Sequence, residues 1–227
     1  MDTQNARTFY RRKLPHWHPE GATIFVTWRL KDSLPKSALE RIEETRKLLA
    51  REIAKPGETI DDRKVRHFKK FFALADDLLD RATDGPLWLK QASVASMVEA
   101  ALLSRYQDLY ALWAYVVMAN HVHVFLQPKP DSSLSKSRSV PLSEITKRLK
   151  GYTSREANKI LERTGEAFWQ IESFDHWARD EAEFYRIISY IEQNPVKAGL
   201  ASRPEDWLWS SARERIRRGW SEVRALT

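Results

Sequence analysis

No cysteine occurs among the 227 residues. Disulfides and thiolate metal sites are therefore excluded, and any metal must be held by His, Asp, Glu, Asn or Gln. The chain also lacks any apolar run near the ~18–20 residues that span a bilayer, so no membrane partner is expected. Its opening, MDTQNARTFYRRKLPHWHPEG, has no apolar stretch of the kind a secretory signal needs, which makes the cytoplasm the expected address. No internal repeat is visible. Acidic residues are outnumbered: 31 Asp and Glu face 38 Lys and Arg, for a net charge of +7.

What is present describes a soluble globular protein, 42% hydrophobic and 30% charged, with enough length for one sizeable core. The positive excess suits a polyanionic partner. It is uneven, because residues 129–159 hold eight Lys and Arg against Asp131, Glu144 and Glu156. The stretch ARERIRRGW near the end adds a second cluster. Nine tryptophans are many for this length. Most belong in a core, although tryptophan beside arginine also stacks single-stranded bases.

The first strand expected is TIFVTWRL at 23–30, rich in β-branched and aromatic residues. Residues 36–54 and 62–80 read as charged helices, parted by Lys55-Pro56-Gly57, and a third helix is expected at about 92–110. Two strands follow, ALWAYVVM and HVHVFLQ, joined by a tight turn at Ala119 and Asn120. A polar loop at 129–140 leads into a basic helix from about Leu142 to Arg163. The last strong helix opens with a capping-box pattern, Asp180 with Glu183. It carries an apolar stripe of Phe184, Ile187, Ile188 and Ile191 and is expected to stop at Asn194-Pro195. This order predicts an α+β fold, an antiparallel sheet with helices on one face. A single domain over 1–227 is expected, with a helical insertion at about 31–110 and a basic C-terminal tail at about 203–227.

Within MANHVHVFLQ, His121 and His123 point to one face of their strand and Val122 and Val124 to the other. Two imidazoles one pleat apart can grip one metal ion; a pair of half-buried, hydrogen-bonded histidines is the plainer reading of the same pattern. In SYIEQNPVKAGL, Tyr190 and Asn194 are four apart, on the flank of the apolar stripe, where a side chain reaches a cleft. A boundary tyrosine and a helix-ending asparagine remain the plainer reading there. Tyr152, in TKRLKGYTSREANK, is a rival nucleophile, with Glu156 as a rival ligand. His176 is open between a structural role and a place near the site. His16, His18 and His67 show no ligand spacing.

Taken together, these segments resemble the HUH nucleases, in which a histidine pair on a strand works with a tyrosine on a later helix. The similarity is greatest to the REP-associated tyrosine transposases, through NHVHVFLQP, LKGYTSREAN, GEAFWQIESFDHWARD, YIEQNPVKAGL and DWLWSSA, and through the opening RRKLPHWHPEGATIFVTWRL. It covers residues 7–30 and 111–213, while 31–110 carry no recognisable motif. The resemblance implies a ferredoxin-like HUH domain that cleaves and rejoins single-stranded DNA bearing hairpin repeats through a 5′-phosphotyrosine. It makes His121, His123 and Asn194 the metal ligands, Tyr190 the nucleophile, and Mg²⁺ or Mn²⁺ the metal, although imidazoles also accept zinc. Arg11, Arg12, Lys13, Lys147, Arg148, Lys150, Tyr152 and Arg155 become DNA contacts. A monomer or homodimer with no other protein partner is expected. A hairpin-binding regulator that no longer moves DNA, and a metallohydrolase sharing His-x-His, are the alternatives.

Overall fold

The computed structural model describes residues 7–11, 15–82, 85–131 and 139–227. The side chains of 7–18 lie outside that description. The chain forms two compact units, one of residues 1–31 with 88–227 and one of residues 32–87. No described helix is long and apolar enough to cross a membrane.

The first unit is built on a four-stranded antiparallel sheet in the order β4-β5-β3-β6. Its strands are β3 (Ile24–Arg29), β4 (Tyr110–Val117), β5 (His121–Pro128) and β6 (Phe174–Trp177). A separate pair, β1 (Arg7–Arg11) with β2 (Pro15–Pro19), forms a small antiparallel ribbon. Strands β4 and β5 meet in the expected tight turn: Val117 pairs with Val122, and Met118 N–H donates to the His121 carbonyl at 2.9 Å. The mixed class and the antiparallel sheet are as the sequence predicts.

Alternation along the strands gives the sheet two apolar faces. On one, Ile24, Val26, Trp28, Val122, Val124 and Leu126 form the main core with Val94 and Val98 of α3 (Ala92–Ala100) and Ile145 and Leu149 of α4 (Leu142–Ile160). On the other, Phe125 meets Phe184 of α5 (Glu181–Lys197), ring centroids 5.0 Å apart. Phe25 faces Tyr190 of the same helix at 6.1 Å. Helices thus cover both faces, not the one that the element order predicts. The reason is in the strands: Phe25, Phe125 and Val116 are fully or nearly fully buried, and an apolar second face needs its own cover. A bulge between Leu112 and Ala114 lets Leu112 and Tyr115 both enter the main core while Trp113 turns to Phe184, 5.1 Å away.

The helix ends depart from the sequence reading at several points. The helix expected at 92–110 is α3 followed by a wider π turn at Ala101–Arg105, which releases the chain into β4. Helix α5 does not stop at Asn194 but runs through Pro195 to Lys197. Its end is secured by Leu200 N–H to the Pro195 carbonyl and Gly199 N–H to the Val196 carbonyl. That is a Schellman closure, with Gly199 at φ +71° supplying the left-handed residue. Only half of the capping box forms: the Asp180 carboxylate accepts the Glu183 N–H at 2.6 Å. The Glu183 carboxylate instead accepts the backbone N–H and Nε–H of Arg179 and lies 3.3 Å from His176 Nε2. A side chain nearly fully buried takes the strongest donors within reach.

The basic C-terminal stretch is folded against β4. Helix α6 (Ser211–Arg217) places Arg215 on the Trp113 carbonyl, and Leu226 N–H donates to Leu112 O at 2.6 Å. The second unit holds α1 (Lys36–Arg51) and α2 (Ile60–Asp80), whose own core is Leu34, Ala38 and Leu79. Helix α2 has a complete capping box between Thr59 and Asp62.

Candidate metal and nucleophile site

Strand β5 lies between β4 and β3, so the backbone under His121 and His123 is paired on both sides. Both side chains are fully buried and project toward the α5 face. Their Nε2 atoms converge to 3.1 Å, and the rings meet edge to face at 4.6 Å. Each ring is backed at its other nitrogen. His121 Nδ1 lies 2.7 Å from Asn120 Oδ1, and His123 Nδ1 lies 2.7 Å from Thr27 Oγ1. An amide oxygen only accepts, so His121 carries its proton on Nδ1 and presents a lone pair at Nε2. Thr27 permits the same tautomer at His123.

At 3.1 Å the two Nε2 atoms either share a hydrogen bond, with His123 protonated at Nε2, or, with both protons on Nδ1, present two lone pairs that a cation can bridge. At a metal–nitrogen distance of ~2.1 Å, that separation subtends about 95°, the angle between neighbouring ligands of an octahedral ion. The buried donor set fits a divalent metal. Asn194, 1% exposed, brings Nδ2 to 3.4 Å from His123 Nε2. Half a turn of its amide about χ2 presents the oxygen to the same point.

Tyr190 stands one helical turn before Asn194. It is half-buried, its ring 5.9 Å from that of His123 and edge-on to Phe25. Lys197, a further turn on, holds Nζ 5.8 Å from the Tyr190 ring centre. The structure thus brings His121, His123, Asn194 and Tyr190 to one place, the first three buried and Tyr190 half-buried.

Tyr152 lies elsewhere. Helix α4 packs against the sheet face opposite the histidines, and the Tyr152 ring sits beneath the Arg105 guanidinium at 4.3 Å. Glu156 pairs with Lys159 at 2.9 Å. Of the basic residues on α4, Lys147, Arg148, Arg155 and Lys159 are exposed. Arg148 pairs with Glu144 at 2.7 Å, and Lys150 Nζ donates to the carbonyls of Gln170 and Ile171 at 2.6 and 2.9 Å. Arg12 and Lys13 lie outside the described residues, and Arg11 is described only as backbone of β1. His176, on β6 opposite Phe25, is engaged by Glu183. The sequence reading misses Asn120 and Thr27, which hold the imidazoles. Asn120 reads as a turn residue, and Thr27 comes beside His123 only through the β3–β5 register.

Residues 105–194 match the family described as Transposase IS200 like, a span that includes α4, both histidines, Tyr190 and Asn194. Over 100 residues the chain is 28% identical to a protein of Haemophilus influenzae named as a REP-associated tyrosine transposase. That match covers 43% of this chain and 56% of the relative, so the chain spans little more than half the length of the curated relative it matches. A REP-associated tyrosine transposase solved bound to a REP hairpin shares the fold with a TM-score of 0.52 at 16% identity, over 96% of this chain and 92% of that one. The resemblance carried by the motifs therefore holds in family, in sequence and in fold: this chain is similar to the REP-associated tyrosine transposases.

Proposed function

We propose that the protein is a metal-dependent transposase that cleaves and rejoins single-stranded DNA beside palindromic hairpins, with Tyr190 as nucleophile. The observation that carries this reading is the convergence of both buried Nε2 atoms beside Tyr190 and Asn194. The sequence relative is named as a REP-associated tyrosine transposase, and the solved neighbour is bound to a REP hairpin.

His121, His123 and Asn194 would hold Mg²⁺ or Mn²⁺. Bound there, such an ion polarises a scissile phosphate. Tyr190 Oη attacks the phosphorus in line, forming the tyrosine–phosphate bond as the bond to the 3′-oxygen breaks. The phenolic proton is lost, and the 3′-oxygen gains one to leave as a free hydroxyl. The phosphodiester's energy is retained in the 5′-phosphotyrosyl ester, so attack by another 3′-hydroxyl rejoins DNA without ATP. Phe25 and the sheet behind it fix the Tyr190 ring, so the attacking oxygen is positioned before the strand arrives.

The test uses Mn²⁺ and single-stranded DNA carrying a hairpin from the repeats flanking the gene. Wild type is expected to form an SDS-resistant protein–DNA adduct, and Tyr190→Phe to form none while still binding the hairpin. His121→Ala is likewise expected to lose the adduct and retain binding, because most affinity comes from cationic contacts to phosphates. Hairpin binding with no adduct from wild type would make the protein a DNA-binding regulator. Ester hydrolysis without an adduct would make it a metallohydrolase.

A further inference from the structure

The stretch DWLWSSA at 206–212 has no place in the chemistry proposed above. It lies along the edge of β4 that β5 leaves open. Trp207 Nε1–H donates to the Val117 carbonyl and Val117 N–H to the Trp209 carbonyl, both at 3.0 Å. Ser210 bridges Val116, Val116 pairs with His123, and His123 pairs with Thr27. One row across the sheet therefore runs from Ser210 through His123. Ser210 also caps α6, its hydroxyl oxygen accepting the Arg213 N–H at 3.2 Å. Helix α6 thus starts from the sheet row that carries His123.

From that start, two side chains reach back to α5. The Ser211 hydroxyl donates to Glu192 Oε1 at 2.7 Å. Arg215, one turn on, pairs with the same carboxylate oxygen and donates to the Trp113 carbonyl. Ser211 is fully buried, and the side chains of Glu192 and Arg215 are 18% and 8% exposed. Stability does not explain an ion pair in such a place. Withdrawing two charges from water costs about what their attraction returns, and an apolar pair of equal volume serves as well or better. What the pair adds is direction.

Successive residues of α5 turn by ~100° about its axis. Ile187, Ile188 and Ile191 make its buried stripe, Tyr190 and Asn194 stand on one flank of that stripe, and Glu192 stands on the other. Apolar contact has no direction of its own, so the stripe holds α5 to the sheet more firmly than it fixes the roll of the helix. We propose that Glu192, Ser211 and Arg215 are positioning residues, which fix the roll of α5 and with it the place of Tyr190 Oη beside the histidine pair. A tyrosine oxygen stands roughly 9 Å from its helix axis, so a roll of about 6° moves it about 1 Å, and misplacement on that scale costs about 10²-fold in rate. The inference rests on the function proposed above.

Single-turnover adduct formation with Mn²⁺ and hairpin-bearing single-stranded DNA tests it, read beside hairpin Kd and melting temperature. Arg215→Met leaves the Glu192 carboxylate without its cation and should lose both melting temperature and rate. The double variant Glu192→Met/Arg215→Met replaces the ion pair with an apolar pair of similar volume. It should melt within about 3 °C of wild type, bind the hairpin with unchanged Kd, and form the adduct about 10–100-fold more slowly. Ser211→Ala, which removes one hydrogen bond, should slow the adduct by about 3–10-fold, again with Kd unchanged. A double variant that reacts at the wild-type rate overturns the proposal. So does one that melts far below wild type, because the pair then props the fold, and so does a Kd that weakens in step with the rate, which would make α6 a DNA contact. No adduct from wild type would instead overturn the nucleophile reading that the tether serves.

Discussion

At the scale of single residues, the histidine pair depends on neighbours that present no motif. Thr27 Oγ1 lies 2.7 Å from His123 Nδ1, and Thr27→Val removes that oxygen while conserving shape. Loss of such a backing contact lowers metal affinity by about 10–100-fold. The expected outcome is weaker Mn²⁺ binding by calorimetry, at little cost to melting temperature; unchanged affinity would show that Thr27 plays no part in orienting the ring. A second residue-scale effect concerns Glu99, which accepts the Tyr115 hydroxyl at 2.7 Å. Burial pushes this carboxyl above its ordinary value of 4.5, against the opposing pull of the Tyr115 hydrogen bond. With the folded value raised, its contribution to stability is complete below pH 4.5 and is lost as pH climbs through the folded value. Glu99→Gln should therefore gain melting temperature relative to wild type as pH rises from 4 to 8, and a pH-independent difference would contradict it.

At the scale of elements, β5 and its turn were legible because alternation and Ala119-Asn120 are local signals. The stripe of α5 was legible as well, since Ile187, Ile188 and Ile191 are all buried. Its far end was not. A residue before proline disfavours the helix, yet the closure formed by Gly199 and Leu200 lies beyond the proline and holds the last turn. The cover on both sheet faces was also hidden, because a continuous apolar strand does not say how many layers bury it. Gly199→Ala tests the closure. Nothing lies within 4 Å of the added methyl, so the cost is backbone strain at φ +71°, about 1 kcal/mol or ~2–4 °C of melting temperature. A neutral substitution would mean that the final turn is held from elsewhere.

At the scale of the whole molecule, the net charge of +7 overstates the cations that reach a phosphate. Among the α4 residues expected to contact DNA, Lys150 is committed to two carbonyls and Arg148 to Glu144, whereas Lys147 is exposed. Lys147→Gln should reduce the slope of log affinity against log salt by roughly one unit and leave the melting temperature alone. Lys150→Gln should lower the melting temperature instead. If both change the slope equally, Lys150 leaves its carbonyls when DNA binds.

The placement of β5 between β4 and β3 also governs how the molecule comes apart. Edge strands and helix ends open first, while paired interior strands open only with the fold as a whole. The amides of His121, His123 and Phe125 should therefore be among the last to exchange in deuterated water, later than those of β6 or the end of α5. Heating would then release Tyr190 and Asn194 with their helix while the imidazoles still face each other, so a weak hold on a metal by the two histidines should outlast the complete site.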